Sequence, residues 1–286
     1  MKDIILETRD LHYRYEDGTH ALKGVDLRVR RGERLAVMGA NGSGKSTFFL
    51  CLNGVLRPQQ GAVWFDGSPV DDSPKGLLAL RQRVGIVFQD PDNQLFSADV
   101  YGEISFGPMN MGLDEAEVHR RVQAVVERLR LGELTEKPVH FLSGGQKKAV
   151  AIADILVMQP DVVMLDEPAA ALDPPHARMV DALIDQLSSQ GVTVIVSTHD
   201  ARRALLWADE VAVFHQGRVL QKAPPLEVFS DRALLEQTGL ERPAVLGLYE
   251  ALVEQGLLQP LPAPPCSAAQ LEACIRQAGA ALTLPE

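Results

Sequence analysis

A glycine-rich run between an apolar segment and a helix-like segment is the feature that most constrains this chain. Residues 39–47 read GANGSGKST, which fits the pattern G-x-x-x-x-G-K-S/T. The apolar residues 34–38 before the run predict a short strand. Residues 46–52 predict a helix that Gly54 would end. This order predicts an α/β fold in which a strand delivers a loop to the start of a helix.

The chemistry of this run is suited to phosphate. Glycines let successive backbone N–H groups turn toward one anion, and the helix N-terminus adds a partial positive charge. Lys45 is expected to reach the β- and γ-phosphates, and Ser46 to ligate Mg²⁺. The residues predicted to contact the nucleotide are Gly39, Asn41, Gly42, Ser43, Gly44, Lys45, Ser46 and Thr47. A plain surface turn is the alternative, and alone the run indicates only a nucleoside triphosphate.

A second motif, LSGGQ, occupies residues 142–146 and precedes a segment that reads as a helix, residues 147–153. Ser143 can cap this helix, and Gly144 and Gly145 allow its first N–H groups to approach an anion closely. An ordinary Ser-Gly-Gly turn is the alternative. This motif, called the signature below, is therefore a second candidate for phosphate contact.

Two adjacent carboxylates end a third motif. The apolar residues 162–165 predict a buried parallel strand, and Asp166 and Glu167 follow it directly. Adjacent acids at the end of a buried strand are costly to desolvate without a partner, and Mg²⁺ is a natural one. A strand that merely ends in solvated acids is the alternative, which the phosphate loop upstream disfavours.

In this order the motifs resemble those of the ATP-binding subunits of ABC transporters, over residues 4–230. Further parts of the family pattern follow in the expected order: Gln89 after an apolar strand, the turn Ala171-Leu172-Asp173, and His199 after another apolar strand. Tyr15 stands where the family places an aromatic ring that stacks on adenine. The resemblance implies ATP and Mg²⁺ as the cofactors.

The resemblance also implies a role for each of these residues. Asp166 would orient the Mg²⁺ shell, in which Gln89 takes part, and Glu167 would polarise the attacking water. His199 would contact the γ-phosphate, where charge develops during transfer. Alternatives remain open for two residues: Tyr15 as an ordinary edge-strand aromatic, and His199 as a packed or capping residue.

Two chains would bind two ATP molecules head to tail, as the same resemblance implies. The signature residues Ser143, Gly144, Gly145 and Gln146 would contact the nucleotide held by the other chain, and Asp173 would cross the interface. Every motif is present in this chain, so a homodimer would have two competent sites.

Three segments carry a closer resemblance: residues 87–96 (VFQDPDNQLF), 106–113 (FGPMNMGL) and 144–148 (GGQKK). They are similar to the ATPases of energy-coupling-factor importers, above all those dedicated to cobalt or nickel. The chain would then power metal-ion import through separate membrane subunits that dock near Gln89–Gly112. Vitamin importers share these sequences, so a vitamin-importer ATPase is one alternative. An exporter ATPase is another.

The resemblance implies an ATPase bound peripherally at the cytoplasmic face of a cell membrane, and the composition agrees with this class. A formal net charge of −10 argues against a nucleic-acid surface. The three cysteines show neither metal spacing nor an even disulfide framework, which favours a reduced setting. No apolar run approaches the ~20 residues of a membrane helix, and the start lacks a signal-peptide core.

Two non-transport classes of ABC protein fit the chain less well. DNA-repair and chromosome-organising ATPases carry long coiled-coil arms, whereas residues 48–141 contain no sustained heptads. Ribosome-associated ABC proteins resemble two cassettes in tandem, and this sequence carries the motifs once.

We predict a P-loop NTPase core of RecA-like α/β fold, with an N-terminal antiparallel β subdomain, in residues 1–220. A helical subdomain that carries the signature would occupy residues 86–158, and residues 221–286 would form a small helical C-terminal extension. Apolar stripes of the extension would pack on the core or on a second copy: Val245, Leu248, Tyr249 and Leu252, then Leu271, Cys274, Ile275 and Ala278. Departures from the family pattern, all outside the residues expected to contact the reacting groups, are Ala149, Asp154, Ala169 and Ala171.

Overall fold

The computed structural model describes residues 3–170 and 172–282. Ala171, which belongs to the predicted turn before Asp173 and departs from the family pattern, lies outside the described residues. Residues 1–2 also lie outside them, as do residues 283–286 at the end of the predicted extension.

The strands are β1 (Ile4–Arg14), β2 (His20–Arg30), β3 (Arg34–Met38), β4 (Gln60–Phe65), β5 (Ser68–Pro69), β6 (Val84–Val87), β7 (Val162–Asp166), β8 (Thr193–Ser197), β9 (Glu210–His215) and β10 (Arg218–Ala223). The helices are α1 (Lys45–Leu52), α2 (Pro74–Arg83), α3 (Val100–Asn110), α4 (Glu115–Leu129), α5 (Gly144–Leu156), α6 (Pro174–Ser189), α7 (Ala201–Trp207), α8 (Pro225–Ser230), α9 (Arg232–Thr238), α10 (Ala244–Glu254) and α11 (Ala268–Leu282). Short 3₁₀ turns occupy Pro91–Asn93, Gly132–Leu134 and Val139–Phe141.

An antiparallel sheet near the N-terminus joins four strands in the order β2-β1-β4-β5. In β2 the buried side chains of Val25, Leu27 and Val29 alternate with exposed polar ones. This period of two is what a sheet with one solvated face requires. The antiparallel subdomain predicted from the sequence is therefore present.

A second sheet has the order β10-β9-β3-β8-β7-β6, and its strands from β9 to β6 run parallel. Strands β6, β7 and β8 consist of buried residues throughout, as expected for strands with both faces covered. Parallel strands end at the same edge of a sheet. Residues that follow β3, β6, β7 and β8 are therefore brought together from distant parts of the chain.

The helical region contains α3, α4 and α5, which pack on one another. Val122 and Val125 of α4 and Val150 and Ile152 of α5 are buried in one hydrophobic cluster. That cluster also includes Val163 and other residues of the parallel sheet, so the signature helix α5 is anchored to the core at its apolar face.

The C-terminal region packs on the core through its first helices. Strand β10 continues to Ala223, past residue 220, where the extension was predicted to begin. Helices α8 and α9 then bury their apolar side chains against β3 and β9, and α10 adds Leu246: the buried residues include Val228, Phe229, Leu234, Leu235 and Leu246. Much of the extension is therefore part of the core.

The two apolar stripes predicted for the extension are each divided in the structure. Tyr249 and Leu271 are buried where α10 and α11 meet. Leu248 is 58% exposed and Ile275 is 46% exposed, so neither lies on the buried face. Part of each stripe is therefore packed within the chain and part is exposed, because each stripe is wider than the contact between α10 and α11.

No helix within residues 3–170 and 172–282 combines the length and the apolar character needed to cross a bilayer.

Candidate nucleotide-binding site

The loop between β3 and α1 has the backbone that the glycine pattern predicts. Gly39 adopts a φ of 150°. A Cβ atom at this position would lie 2.2 Å from the carbonyl oxygen of Phe214, so only glycine fits. Helix α1 begins at Lys45 and is followed by Gly54 at φ 69°, which confirms the predicted helix end.

Lys45 is buried at the start of α1 and spans the loop. Its Nζ donates to the carbonyl oxygens of Gly39 at 2.7 Å and Ala40 at 3.2 Å. Burial lowers the pKa of Lys45, and the carboxylates of Glu167 and Asp166 act against that shift. The ammonium group is therefore held inside the curve of the loop, close to two acids.

The end of β7 places Asp166 and Glu167 beside Ser197 of the neighbouring strand β8. Asp166 and Ser197 are direct partners in the register, and the Ser197 hydroxyl donates to Asp166 Oδ1. The same hydroxyl accepts from the backbone N–H of Glu167 at 2.9 Å. Ser197 therefore orients both acids through one oxygen atom.

Glu167 is a half-buried carboxyl with an elevated pKa. Burial raises its pKa, Lys45 lowers it, and Asp166 raises it further. A carboxylate whose pKa is raised toward neutrality is a stronger base than one in water. The position thus suits the acceptance of a proton from water.

His199, after β8, approaches Glu167. Its Nε2 lies 2.8 Å from Glu167 Oε1, but hydrogen-bond geometry is met with Asn41 Oδ1, at 3.0 Å. Burial lowers the pKa of His199, and the charge of Lys45 lowers it as well. A neutral ring that donates through Nε2 is consistent with both contacts.

A cleft of about 230 Å³ joins the loop, the acids and the residue after β6. The predicted residues that line it are Tyr15, Asn41, Gly42, Gly44, Lys45, Ser46, Thr47, Gln89, Asp166 and Glu167. Three of these, Ser46, Gln89 and Asp166, offer oxygen atoms of the hard type that Mg²⁺ prefers. No cluster of three or more His, Cys, Asp or Glu residues suited to a metal occurs among the described residues. A single carboxylate with a hydroxyl and an amide nevertheless fits an ion that is also bound by phosphates.

Tyr15 forms one wall of this cleft. Its hydroxyl lies 2.9 Å from Thr47 Oγ1, and its ring meets Tyr13 edge-on, with centroids 5.0 Å apart. The residue remains 38% exposed. An anchored ring with an open surface can support a flat ligand, so adenine stacking stays a prediction for Tyr15.

The signature residues and Asp173 are not among the described residues that line the cleft. Ser143 and Gln146 form a reciprocal capping box at the start of α5. Asp173 caps α6 and contacts the Nδ1 of His176 at 2.5 Å. A Cβ atom on Gly145 would lie 2.4 Å from the His176 ring, so the cap of α6 and the signature touch. Within one chain, the predicted site residues therefore form two groups.

Three residues of these groups were missed by the sequence prediction: Ser197, His176 and Lys148. Ser197 carries a recognisable signal, because it is a polar residue that ends an apolar strand. Lys148 interrupts the apolar face of α5, where burial lowers the pKa of its ammonium group to about 8. His176 is marked only by its place three residues after a helix cap, which is common and unspecific.

The chain is similar to known proteins over most of its length. Residues 22–170 match the family model described as ABC transporter. The chain is 46% identical over 256 residues to the energy-coupling factor transporter ATP-binding protein EcfA3 of Clostridium perfringens, covering 89% of this chain and 90% of that protein. It is also 46% identical over 248 residues to EcfA of Methanocaldococcus jannaschii, covering 87% and 89%.

Solved structures agree with these sequence matches. cbiO1 of Clostridium perfringens, part of the ABC transporter complex cbiONQ, superposes with a TM-score of 0.73 at 46% identity, covering 87% of this chain and all of that one. The ATP-binding cassette MJ0796, in a dimeric post-hydrolysis state bound to ADP and Pi, gives a TM-score of 0.71 at 26% identity, covering 77% and 99%. The RecA-like cassette fold predicted from the motifs is confirmed by these likenesses.

Proposed function

Because this chain belongs to the energy-coupling factor ATP-binding proteins of the ABC transporters, we propose that its ATP hydrolysis powers the import of cobalt or nickel. The chain is the ATPase subunit of an importer, and separate membrane subunits form the path for the metal. Two observations support this cargo: the likeness to cbiO1, a part of the complex cbiONQ, and the sequences of residues 87–96 and 106–113. A vitamin is the alternative cargo.

The single observation that carries the ATPase assignment is the convergence of Lys45, Ser46, Gln89, Asp166 and Glu167 on one cleft. Lys45 and the loop N–H groups would hold the phosphates. Ser46, Gln89 and Asp166 would hold Mg²⁺, which when bound neutralises charge on the phosphate oxygens.

Proton transfer and charge stabilisation fall to two other residues of the site. Glu167, with its raised pKa, would accept a proton from the attacking water. His199 would donate through Nε2 to the γ-phosphate, a role for which its place beside Asn41 and Glu167 is suited.

A second copy of the chain would complete each site. The signature and Asp173 form a group apart from the cleft of their own chain, so their predicted nucleotide contacts require a partner. Ser143 and Gln146 form a capping box at the start of α5, and a Cβ atom on Gly144 would meet open space, so an anion can approach this helix end at Gly144. The dimeric state reported for MJ0796 supports an assembly of two such chains.

Membrane subunits would dock beside the cleft, on the segment Gln89–Gly112, which would place the chain at the cytoplasmic face of the membrane. Phe96 and Phe106 stack edge-to-face on the surface, with centroids 4.8 Å apart. Phe96 is 66% exposed and Met109 is 63% exposed. Adaptable aromatic and methionine side chains suit a surface that must repack during a transport cycle.

The cargo is tested with the assembled transporter. Cells that carry the chain with its membrane partners should take up radioactive cobalt in an ATP-dependent manner, and the Lys45→Ala variant should reduce that uptake to background. Competition by excess nickel should lower the rate. Uptake of a labelled vitamin with no cobalt uptake would replace the proposed cargo with the alternative.

A further inference from the structure

A buried lysine joins the signature helix to the residue that enters the cleft from β6. Lys148 lies in α5 and is 1% exposed. Its Nζ donates to the carbonyl oxygens of Phe88 at 2.8 Å and Gln89 at 2.6 Å. In the part of the chain that the structure describes, Lys148 forms no ion pair. Two backbone carbonyls are therefore the partners that compensate its burial.

These carbonyls lie where β6 ends and the chain turns into the cleft. The Gln89 side chain makes no hydrogen bond to the described residues, although Gln89 lines the cleft. Without such a bond, the position of its amide group follows the backbone that carries it. A contact that fixes the backbone carbonyl of Gln89 therefore fixes where the amide can reach.

A second link ties the same turn to α5. The backbone N–H of Phe88 donates to Gln94 Oε1 at 3.2 Å, and Gln94 Nε2 donates to the carbonyl of Ala151 at 2.8 Å. Phe88 and Gln89 are thus attached to α5 by the ammonium group of Lys148 and the side-chain amide of Gln94. The turn and the helix form one hydrogen-bonded unit.

The other end of this unit is the signature. Ser143 caps the start of α5, and Lys148 follows within the next turns of the same helix. Under the proposed function, on which this inference rests, that helix end contacts the ATP of the second copy. Gln89, at the other end of the unit, faces the ATP of its own chain.

We propose that Lys148 is a positioning residue that transmits the occupancy of one ATP site to the other. A shift of α5 on contact with the partner's nucleotide moves the carbonyls of Phe88 and Gln89, and with them the Gln89 amide. Lys148 touches no nucleotide. Its effect on hydrolysis passes through Gln89.

The test compares Lys148→Met, which keeps the length of the side chain and removes its charge and donors, with Lys148→Arg, which restores both. In the full-length chain, Lys148→Met should lower kcat by about tenfold and bring the Hill coefficient for ATP close to 1. The affinity for a non-hydrolysable ATP analogue should stay within about twofold, because the phosphate loop is unchanged. Lys148→Arg should regain most of both losses.

Lys147→Met is the matched control, because the neighbouring Lys147 pairs with the side chain of Asp92 at 2.5 Å and not with the carbonyl oxygens of Phe88 and Gln89. Its kcat and Hill coefficient should match those of the wild type. A Lys148→Met variant with a normal Hill coefficient and kcat would overturn the proposal. If Lys148→Met does not fold, Lys148→Gln replaces it, because its side chain is uncharged and shorter than that of lysine, and a loss of cooperativity at normal analogue affinity is then the required result.

A double-mutant cycle separates this inference from the proposed role of Gln89. Gln89→Ala should lower kcat, and adding Lys148→Met should lower it little further, because Lys148 acts only through the side-chain amide that Gln89→Ala removes. Fully multiplicative losses would show that Lys148 acts elsewhere and overturn the inference alone. Normal turnover in Gln89→Ala would overturn the proposed role of Gln89 and the inference together.

Discussion

Glu167 is held in a left-handed backbone conformation, with a φ of 45°, that residues with side chains adopt infrequently. Its N–H is bound by both the hydroxyl and the carbonyl oxygen of Ser197. These two contacts stabilise the conformation and aim the carboxyl group into the cleft. A strained residue at the end of a core strand is common where a site demands a fixed direction.

Glu167→Gln should reduce ATP turnover by at least about a hundredfold while ATP still binds. The amide has nearly the same shape but cannot accept a proton from water. Turnover assays and binding of a fluorescent ATP analogue measure the two quantities. Turnover within about twofold of the wild type would remove Glu167 from the role of base.

The pKa of Asp154, a departure from the family pattern in α5, links the stability of the protein to pH. Burial raises the pKa of Asp154 to about 7, a hydrogen bond from Gln94 lowers it, and Glu103 raises it. The folded state therefore binds this proton more tightly than the unfolded chain does. Stability due to Asp154 is lost as pH rises from about 4 to about 7.

Asp154→Asn should remove this loss, because an amide keeps the acceptor for Gln94 and carries no charge. The free energy of unfolding should increase by about 2 kcal/mol at pH 8 and by little at pH 4. Denaturant titrations at both pH values measure the difference. Asp185→Asn, at an exposed acid of α6, is the control. An equal effect at both pH values would contradict the assigned cause.

At the scale of elements, the segment from Gln89 through α3 divides its apolar residues between core and surface. Leu95 and Ile104 are buried in the cluster that joins the helical region to the parallel sheet. Phe96, Phe106 and Met109 are exposed. The buried side chains of this segment therefore pack in the core, and the exposed ones remain available for the proposed docking.

Phe96→Ser with Met109→Ser should lower assembly with the membrane subunits several-fold. Both side chains are exposed, so the isolated chain should keep its fold and its ATPase activity. Co-purification from membranes measures assembly, and Leu78→Ser, at an exposed leucine of α2, is the control. Normal assembly of the double variant would exclude this face as the docking surface.

At the scale of the whole molecule, the proposed function requires a second chain, because the signature residues and Asp173 do not line the cleft of their own chain. We expect the Glu167→Gln variant to form a tight dimer with MgATP and to be largely monomeric or loosely dimeric without it. Light scattering measures the mass in both conditions. One unchanged mass would contradict closure by ATP, unless the C-terminal helices already join the chains.

Substitutions on the exposed face of α10 and α11 test whether the C-terminal helices join two chains without nucleotide. Leu248→Ser with Ile275→Ser should weaken nucleotide-free association, if the C-terminal helices of two chains meet there, and leave ATP binding unchanged. Sedimentation equilibrium measures the association constant, with Leu206→Ser on α7 as the control. An unchanged constant would leave this face without a role in the dimer.

The sequence alone determined the elements whose physics is local. The phosphate loop, the strand that ends in Asp166 and Glu167, and the cap at Ser143 each depend on residues within a few positions. Their order along the chain was enough to indicate the α/β cassette and the cleft residues. The resemblance to a family then supplied roles that residue types alone leave open.

Only the tertiary structure decided which distant residues meet. Lys148 with Gln89, and Ser197 with Asp166, are joined by the order of the strands and the path of α5, which no local pattern encodes. The tertiary structure also decided which of two neighbouring apolar residues is buried. Leu95 is buried beside exposed Phe96, and Leu248 is exposed beside buried Tyr249. Periodicity shows that a helix has an apolar stripe, but the width of the partner surface decides which of its residues leave water.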